Sequence, residues 1–357
     1  MSENSLNIMI FGLSITSSWG NGHATTYRSL VKGLWHLGHK VTFLEKDQPW
    51  YASNRDMPES SHCRIVLYND FSQIMKEMAK EVQKADLVIV GSFVDKGIEV
   101  GSWILDLANG ITAFYDIDTP VTLAKMAAGD YQYLSPSMIP RYDLYLSFTG
   151  GPVLEELEDE YHAKTARQFF CSVDSDLYSP CMISRDYELG YMGTFSPDRQ
   201  DKLDKLMLTP ARSHNEKRFI VAGPQYPEDI QWPANVERIV HIPPCRHSQF
   251  YCSQKMTLNI TRNDMIKLGH SPSVRMFEAA ACCTPVITDY WPGLEMIFEP
   301  DKEILVANDS DDVQRYMTEM TAASLEKIAA NALAKVIKHH NSTQRAGQLI
   351  EYYRQIA

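Results

Sequence analysis

The sequence has little that would support a disulfide scaffold or a polyanion-binding protein. Its seven cysteines are an odd number and form no Cys-x-x-Cys pair, which argues against a disulfide framework and a zinc knuckle. Lysine and arginine number 34 against 45 aspartates and glutamates, which gives a formal net charge of -11. A chain this acidic has no general electrostatic attraction to a polyanion, so no nucleic-acid partner is expected.

Long apolar runs are also missing. No stretch reaches the roughly 18 to 20 apolar residues of a membrane span, and the polar residues 1–7 lack the basic and apolar regions of a signal peptide. With 44% hydrophobic and 22% charged residues, the composition excludes a disordered or collagen-like chain. We therefore expect a folded cytoplasmic protein, and peripheral contact with a membrane stays open.

What the sequence does contain is an alternation of short apolar runs with stretches of helical periodicity. This alternation predicts an α/β fold with parallel, doubly wound sheets. A first series of strands is predicted at 7–13, 41–44, 64–68, 86–91, 111–116 and 144–148. A second series is predicted at 189–192, 219–223, 238–242, 257–261, 285–288 and 304–307.

A polar segment at residues 171–180 (CSVDSDLYSP) separates the two series and indicates a connection between domains. We expect two Rossmann-like domains, at 1–172 and 173–340, that face each other across a cleft. The tail at 324–357 contains almost no helix-breaking residues, which predicts one or two helices. The helix at 341–357 is expected to pack back on the N-terminal domain.

Two motifs make the interpretation more specific. Residues 173–180 (VDSDLYSP) resemble the hinge of retaining glycosyltransferases with the GT-B fold, and residues 278–295 (EAAACCTPVITDYWPGLE) resemble their donor-site stretch. Within that superfamily the chain is most similar to the CgeB-like, spore-maturation-protein type of glycosyltransferase. The segments that carry this similarity are YDIDTP at 115–120, GYMGTFSPDR at 190–199, LNITR at 258–262 and SPSVRMFE at 271–278.

The resemblance implies transfer of a sugar from a nucleotide-diphosphate sugar to an unknown acceptor, with retention at the anomeric carbon and without a cofactor. The C-terminal domain would bind the donor, and the N-terminal domain would hold the acceptor. Two alternatives stay open. A nucleotide-sugar epimerase of the same fold would need no acceptor, and a two-domain ligand-binding protein would close on a small solute without catalysis.

The helix predicted from Val274 supplies the main donor-site candidates. Ser271 and Ser273 precede it like N-cap residues, and the exposed N–H groups of a helix N-terminus attract phosphate. Arg275 lies in the first turn and adds a positive charge. Glu278 lies one turn further, where the resemblance implies that its carboxylate accepts hydrogen bonds from the ribose hydroxyls.

Three further segments contribute to the predicted donor site. Gly193 and Thr194 follow the first strand of the C-terminal domain, where glycine permits close approach of the backbone to a ligand. Arg199 is similar in placement to the phosphate-binding cation of the family, although it also fits a helix-start residue paired with its neighbour Asp198. The resemblance implies that the loop of His241 and Ile242 contacts the base.

The acceptor or sugar site is predicted from side chains that follow strands of the N-terminal domain. Gly22 and His23 lie between the first strand and the first helix, and His23 is a candidate general base or hydroxyl-orienting residue. Asp116 and Asp118 follow the strand at 111–116, and one of them is expected to hold sugar or acceptor hydroxyls. His270 stands where the superfamily often has a glutamate, and is included as a sugar-site candidate.

No metal site is predicted. The pattern Asp-x-Asp at Asp116 and Asp118 matches the metal motif of another glycosyltransferase fold, but the same pattern recurs at 174–176 and 309–311. Because cations and a helix N-terminus can bind the phosphates, we expect catalysis to be metal-independent.

Overall fold

The computed structural model describes residues 5–357. This part of the chain divides into two compact units. The first comprises the chain up to Ser172 together with Asn341–Ala357, and the second comprises Val173–His340. None of the helices between residues 5 and 357 is both long and apolar enough to cross a membrane.

The first unit is built on a seven-stranded sheet in the order β3-β2-β1-β4-β5-β6-β7, in which every pairing is parallel. Its strands are β1 (Asn7–Gly12), β2 (Lys40–Lys46), β3 (Arg64–Tyr68), β4 (Leu87–Gly91), β5 (Ile111–Asp116), β6 (Leu144–Ser147) and β7 (Ala166–Gln168). Its helices are α1 (Gly22–His36), α2 (Pro49–Ala52), α3 (Phe71–Lys84), α4 (Gly97–Leu107), α5 (Thr119–Ala127), α6 (Val153–Asp159) and the C-terminal α15 (Ser342–Ile356).

The second unit contains a six-stranded sheet in the order β10-β9-β8-β11-β12-β13, again with parallel pairings throughout. Its strands are β8 (Tyr187–Met192), β9 (Phe219–Ala222), β10 (Val236–Ile239), β11 (Gln254–Asn259), β12 (Val286–Thr288) and β13 (Leu305–Val306). Its helices are α7 (Pro197–Leu203), α8 (Thr209–Ser213), α9 (His247–Cys252), α10 (Asn263–Leu268), α11 (Val274–Ala281), α12 (Leu294–Ile297), α13 (Ser310–Glu319) and α14 (Ala322–His339).

The central strands of the first sheet are almost purely apolar, because both faces of that sheet are covered. All five residues of β4 and five of the six in β1 are buried. Parallel sheets require such burial because the crossover helices lie on both faces. In each unit the strand order reverses beside the first strand, between β1 and β4 and between β8 and β11. The predicted α/β fold with two parallel sheets is confirmed.

The C-terminal helix α15 completes the first unit by packing against α1. Ser29 on α1 lies 2.8 Å from the hydroxyl of Ser342, and 2.7 Å from that of Ser172. Gly33 permits this close approach, since a Cβ atom there would lie 2.1 Å from the carbonyl oxygen of Ser342. The guanidinium carbon of Arg345 lies 5.8 Å from the centroid of the Phe169 ring. The last helix is thus an integral part of the first unit.

Two predicted strands of the second unit have the wrong boundaries. The strand predicted at 238–242 is Val236–Ile239, and the apolar Val240 that suggested a longer strand is 69% exposed in the following loop. The strand predicted at 257–261 is Gln254–Asn259, because its neighbour β12 offers no partner beyond Thr288. The short strand β7 and helix α5 were not predicted, because neither has a long apolar run.

Candidate functional site

Four residues predicted for the donor site lie close together at the carboxyl edge of the second sheet: Gly193, Thr194, Arg199 and Arg275. The strand order reverses there between β8 and β11, and ligands bind in the crevice that such a reversal creates. Gly193 and Thr194 follow β8, Arg262 follows β11, and α11 begins at Val274. The fold therefore brings three distant stretches of sequence to one edge.

The Arg275 side chain is fixed at this edge by both central strands. Its Nε donates a hydrogen bond to the carbonyl of Met192 at the end of β8, and Nη1 donates to Oδ1 of Asn259 at 2.8 Å. Its guanidinium carbon lies 5.0 Å from the centroid of the Tyr191 ring, and a Cβ atom at position 193 would lie 3.0 Å from Nη2. Arg275 is 9% exposed and forms no ion pair with a described carboxylate. A buried cation without such a partner favours an anionic ligand.

Arg199 adds a second nearly buried guanidinium beside Arg275. Its Nη2 donates to the carbonyl of Thr194 at 2.6 Å, and its Nε is buried without a partner in the described chain. Burial lowers the pKa of Arg199, and the neighbouring positive charges of Arg275 and Arg262 act in the same direction. Three guanidinium groups therefore lie near one another at this edge.

The alternative role of Arg199 as a helix-start partner of Asp198 has little support in these contacts. Ser196 occupies the N-cap position of α7. The Asp198 carboxylate accepts hydrogen bonds from the Ser196 hydroxyl and, at 3.1 Å, from the backbone N–H of Asn263. Asp198 is therefore used to connect α7 to α10, and the Arg199 head group is directed to the backbone after β8.

Glu278 is nearly buried, with 4% of its surface exposed, and its carboxylate is oriented by a tyrosine. The Tyr251 hydroxyl donates to Oε2 at 3.0 Å. Burial raises the pKa of Tyr251 well above its ordinary value, and the negative charge of Glu278 contributes to the same shift. The phenol therefore stays protonated and acts as a permanent donor to this carboxylate.

The N-terminus of α11 has no side-chain cap. Ser273 is the N-cap residue, but its hydroxyl accepts no hydrogen bond from the first turn. The first N–H groups of a helix have no partner inside the helix, so an uncapped end suits a phosphate. Ser271, two residues earlier, is completely buried.

His270 is held against the loop that follows β12. Its backbone N–H donates to the carbonyl of Pro292 at 2.6 Å, and its own φ is 51°. A Cβ atom on Gly293 would lie 2.2 Å from the His270 Nδ1, so glycine is required for this contact. The Nδ1 atom is buried without a hydrogen-bond partner in the described residues. His270 thus connects the start of α11 to the loop before α12.

The loop of His241 and Ile242 follows β10, as predicted, although that strand ends earlier. The Ile242 carbonyl lies 2.9 Å from Nε2 of His247, and the other ring nitrogen of His247 lies 3.0 Å from the Tyr178 hydroxyl. These contacts fix the loop against α9. No contact bears on the predicted interaction of this loop with a base.

In the first unit, two predicted residues form a close pair. Nε2 of His23 lies 2.6 Å from Oδ2 of Asp118, although 95 positions separate them in the sequence. Asn21 is the N-cap of α1 and accepts a hydrogen bond from the His23 backbone N–H at 2.9 Å. The His23 ring is 5.9 Å from Phe93, and its Nδ1 is buried with no partner in the described chain. Histidine and carboxylate can orient a ligand hydroxyl or exchange a proton with it.

Asp116 is completely buried and plays a different role from Asp118. Its carboxylate accepts hydrogen bonds from the Tyr145 hydroxyl at 2.6 Å and from the Thr122 hydroxyl at 2.7 Å. Burial raises the pKa of Asp116 to about 6. This carboxyl organises the strand end below the His23–Asp118 pair and has no exposed surface to offer to a ligand.

All three Asp-x-Asp patterns have the same local explanation. In each, the first aspartate accepts a hydrogen bond from the backbone N–H two residues later, as in an Asx turn: residues 116 and 118, 174 and 176, and 309 and 311. Between residues 5 and 357, no three histidine, cysteine, aspartate or glutamate side chains are grouped to hold a metal ion. Metal independence stays a prediction.

Several residues that shape these sites were not predicted from the sequence. Asn259 fixes Arg275 and also donates to the Thr288 hydroxyl at 2.9 Å. The buried Glu45, at the end of β2, accepts hydrogen bonds from the backbone N–H groups of Ile15 and Thr16 at 2.6 and 3.0 Å. Asn259 and Glu45 are both buried polar residues near the end of a strand. This feature is the sequence signal that could have identified them.

Comparison with known proteins agrees with this geometry. Residues 199–351, somewhat less than half of the chain, match the family model described as Glycosyl transferase-like. No curated protein matches the sequence significantly. The matched segment contains Arg199, Arg275 and Glu278. This segment is therefore similar to glycosyltransferases in sequence.

Solved GT-B structures superpose on nearly the whole chain at low sequence identity. Sucrose-phosphate synthase from Thermosynechococcus elongatus has a TM-score of 0.70 and 16% identity, covering 98% of both chains. Anabaena HepE in complex with UDP and glucose has a TM-score of 0.72 and 11% identity, covering 98% of this chain and 100% of its own. An alpha-glucosyltransferase in complex with UDP and DNA has a TM-score of 0.75 and 14% identity, covering 99% and 100%. The predicted GT-B architecture is confirmed, and the CgeB-like subfamily stays a prediction.

Proposed function

We propose that this protein transfers a glycosyl group from a nucleotide-diphosphate sugar to an acceptor, with retention at the anomeric carbon. The observation that carries the proposal is the set of two nearly buried guanidinium groups beside an uncapped helix N-terminus. Arg199 and Arg275 have no described carboxylate partner, and α11 presents its first N–H groups at the same edge. This arrangement suits a diphosphate.

In this proposal the second unit binds the donor. Arg199, Arg275 and the start of α11 bind the diphosphate, and Glu278 accepts hydrogen bonds from the ribose hydroxyls. The loop of His241 and Ile242 contacts the base through its backbone. Structures similar in fold hold UDP and UDP-glucose, so UDP-glucose is the first donor to test.

The chemical step requires groups that stabilise charge on the departing diphosphate. The bond between the anomeric carbon and the phosphate oxygen breaks, and a bond to the acceptor oxygen forms on the same face of the sugar. The departing phosphate takes the proton of the acceptor hydroxyl. Arg199 is proposed to act mainly at this stage, because the charge that its planar head group binds grows as the bond breaks.

The first unit is proposed to hold the acceptor. His23 and Asp118 form a pair that can orient a hydroxyl group, and Asp116 fixes the position of Asp118. Replacement of His23 by alanine is expected to lower turnover and leave the affinity for UDP unchanged. Calorimetric titration with UDP and initial-rate measurements on the same preparation separate the two effects. Loss of UDP affinity together with turnover would contradict this assignment.

Three finer assignments belong to the same proposal. The segments at 115–120, 190–199, 258–262 and 271–278 support membership of the CgeB-like type. The cationic phosphate site supports catalysis without a metal ion or another cofactor. The seven free cysteines support a cytoplasmic location. Three similar structures are complexes with DNA, but the net charge of -11 disfavours a DNA acceptor for this chain.

The decisive experiment is a thermal-shift panel of nucleoside diphosphates and nucleotide sugars, followed by product analysis. A true donor at 100 times its dissociation constant is expected to stabilise the protein by about 2.7 kcal/mol. NMR of the product then reports the configuration at the anomeric carbon. An altered sugar formed from the donor alone would indicate an epimerase, and binding without turnover on any acceptor would indicate a ligand-binding protein.

A further inference from the structure

A cavity of about 410 Å³ lies at the carboxyl edge of the first sheet, and the residues assigned above do not line it. It opens between Leu13, which follows β1, Lys46 at the end of β2, and residues 93–96 after β4. The strand order reverses between β1 and β4, so the cavity occupies the position where doubly wound sheets bind small molecules. Its volume lies within the roughly 300 to 1,000 Å³ of small-molecule sites.

Four aromatic side chains line this cavity: Trp50, Tyr51, Phe93 and Tyr133. Trp50 is 51% exposed, and its ring centroid lies 6.0 Å from that of the buried Tyr51. The Phe93 and Tyr133 rings are 4.6 Å apart. An exposed tryptophan beside an aromatic wall is a typical contact surface for a ring-shaped ligand.

The polar residues of the cavity carry both donors and acceptors. Gln48, Asp95 and Gln132 line it together with Lys46 and Lys96. The Oε1 atom of Gln132 accepts a hydrogen bond from Lys125 at 2.6 Å. The amide N–H groups of Gln132 are therefore available to donate to other acceptors. Amides, a carboxylate and ammonium groups around an aromatic wall suit a ligand that has hydroxyl groups around its edge and an apolar face.

The backbone on one side of the cavity is held in an uncommon conformation. Phe93 has φ of 60° and Lys96 has φ of 52°, in the left-handed region that bulky residues rarely adopt. Such strain persists only when surrounding contacts hold it, and it concentrates at ligand sites. Here the Ser92 backbone N–H donates to the Tyr115 carbonyl at 3.0 Å, and the Ser92 hydroxyl accepts from the Ile117 N–H at 3.1 Å.

The aromatic wall also contacts the predicted acceptor residues. The Phe93 ring lies 5.9 Å from the His23 ring. The Tyr133 hydroxyl lies 2.7 Å from the Thr122 hydroxyl, which donates to the Asp116 carboxylate at 2.7 Å. Phe93 thus lines the cavity and also lies beside His23 of the His23–Asp118 pair.

We propose that this cavity binds the acceptor and that the acceptor is a saccharide. The role of this ligand as the acceptor rests on the proposed glycosyl transfer. Binding of a saccharide in the cavity can be tested independently of that reaction. The C–H face of a pyranose ring packs on Trp50, and its hydroxyl groups bond to Gln48, Asp95 and Gln132. A purely aromatic or aliphatic ligand would make no hydrogen bonds to these polar groups.

Saturation-transfer NMR on the full chain tests the ligand class directly. The probes are methyl α-D-glucopyranoside, maltose and glucuronic acid, with 4-nitrophenol as the aromatic alternative. Two variants are compared, Trp50→Leu and the matched control Trp35→Leu, whose tryptophan is 47% exposed on α1 and contacts His62 instead. Trp50→Leu is expected to weaken saccharide binding roughly tenfold, and Trp35→Leu is expected to leave it unchanged.

The outcomes are distinguishable from those for glycosyl transfer, because UDP binding is measured by calorimetry on the same samples. Saccharide binding that depends on Trp50 supports the proposal even if UDP does not bind, in which case only the donor assignment fails. Binding of 4-nitrophenol alone, no binding of any saccharide, or equal effects of both variants would overturn the proposal.

Discussion

Glu278 is held in one orientation before any ligand binds, because the protonated Tyr251 hydroxyl donates to its Oε2 atom. Both residues are nearly or completely buried. An isosteric amide at this position keeps the shape of the side chain but loses its charge, which is the property that ribose hydroxyls recognise most strongly. Replacement of Glu278 by glutamine therefore tests whether this carboxylate binds the ribose of the donor.

Glu278→Gln is expected to weaken UDP binding roughly tenfold to a hundredfold, since a hydrogen bond to a charged group contributes about 1.5 to 3 kcal/mol. Isothermal calorimetry measures the affinity. The matched control is Glu319→Gln, an exposed helix-face glutamate of the same unit. Equal affinities of wild type and Glu278→Gln would contradict the assignment.

Asp116 gives a prediction for the pH dependence of stability. Burial raises its pKa to about 6 in the folded protein, against about 3.9 in the unfolded chain. Between these values the folded state binds the proton and the unfolded state has released it, so this residue makes stability fall as pH rises from about 4 to about 6. The loss amounts to about 3 kcal/mol.

Asp116→Asn removes this contribution, so the stability of the variant relative to wild type should increase over the same pH range. Urea unfolding at several pH values measures the difference. Asp143→Asn is the control with the opposite sign, because hydrogen bonds from Lys164 and Thr112 outweigh burial and lower the pKa of Asp143. Its difference from wild type should develop below about pH 4. A flat difference for Asp116→Asn would show that this carboxyl does not titrate as described.

At the residue scale, the sequence predicted Arg199, Arg275, His23 and Asp118 one by one as site residues, but not that His23 and Asp118 form a pair. It did not predict the groups that orient them. Asn259 is 16 positions from Arg275, and Tyr251 is 27 positions from Glu278, so only the folded sheet brings them together. Local sequence patterns carry no signal for such long-range contacts.

At the scale of elements, apolar runs predicted the central strands well, because a parallel sheet buries both faces. The edge strand β7 was missed, since Ala166–Gln168 is only three residues long and two of these are polar. The predicted position of β10 was shifted toward the C-terminus, because Val240 is apolar but exposed. Apolar character thus identifies a strand reliably only where the strand is covered on both sides.

The contact between α1 and α15 depends on a glycine, and a pair of glycine variants tests this. Gly33→Ala would place Cβ 2.1 Å from the Ser342 carbonyl oxygen, a backbone atom that cannot move freely. We expect a loss of about 1 to 3 kcal/mol in the free energy of unfolding. Gly347→Ala, on α15, meets nothing within 4 Å and should stabilise the protein by about 0.5 to 1 kcal/mol.

Thermal and urea unfolding of both variants measure these changes. The two substitutions add the same methyl group to two helices of one unit, so helix propensity alone would make both stabilising. If Gly33→Ala also stabilises the protein, the close packing of α1 on α15 is not as described.

At the scale of the whole molecule, the two units share the same sheet architecture. Each is a parallel sheet whose strand order reverses beside its first strand, and each places its polar side chains at the carboxyl edge of that reversal. The second unit presents cations there, and the first presents aromatic rings and a histidine–carboxylate pair. The guanidinium groups at the edge of the second sheet support an anionic donor there, and the aromatic wall at the edge of the first sheet supports a saccharide ligand.

The guanidinium groups of the second unit lead to the prediction that activity does not require a divalent metal ion. The diphosphate charge is met by Arg199, Arg275 and the N-terminus of α11, and the Asp116 carboxylate is already occupied by Tyr145 and Thr122. Transfer from the donor identified by the binding panel should therefore keep its rate in excess EDTA and change less than about twofold when Mg²⁺ or Mn²⁺ is added. Rates with and without chelator, on protein dialysed against EDTA, measure this. Activity that chelator abolishes and Mn²⁺ or Mg²⁺ restores would contradict the prediction, and loss of that metal response in Asp118→Asn would then identify Asp118 as a ligand.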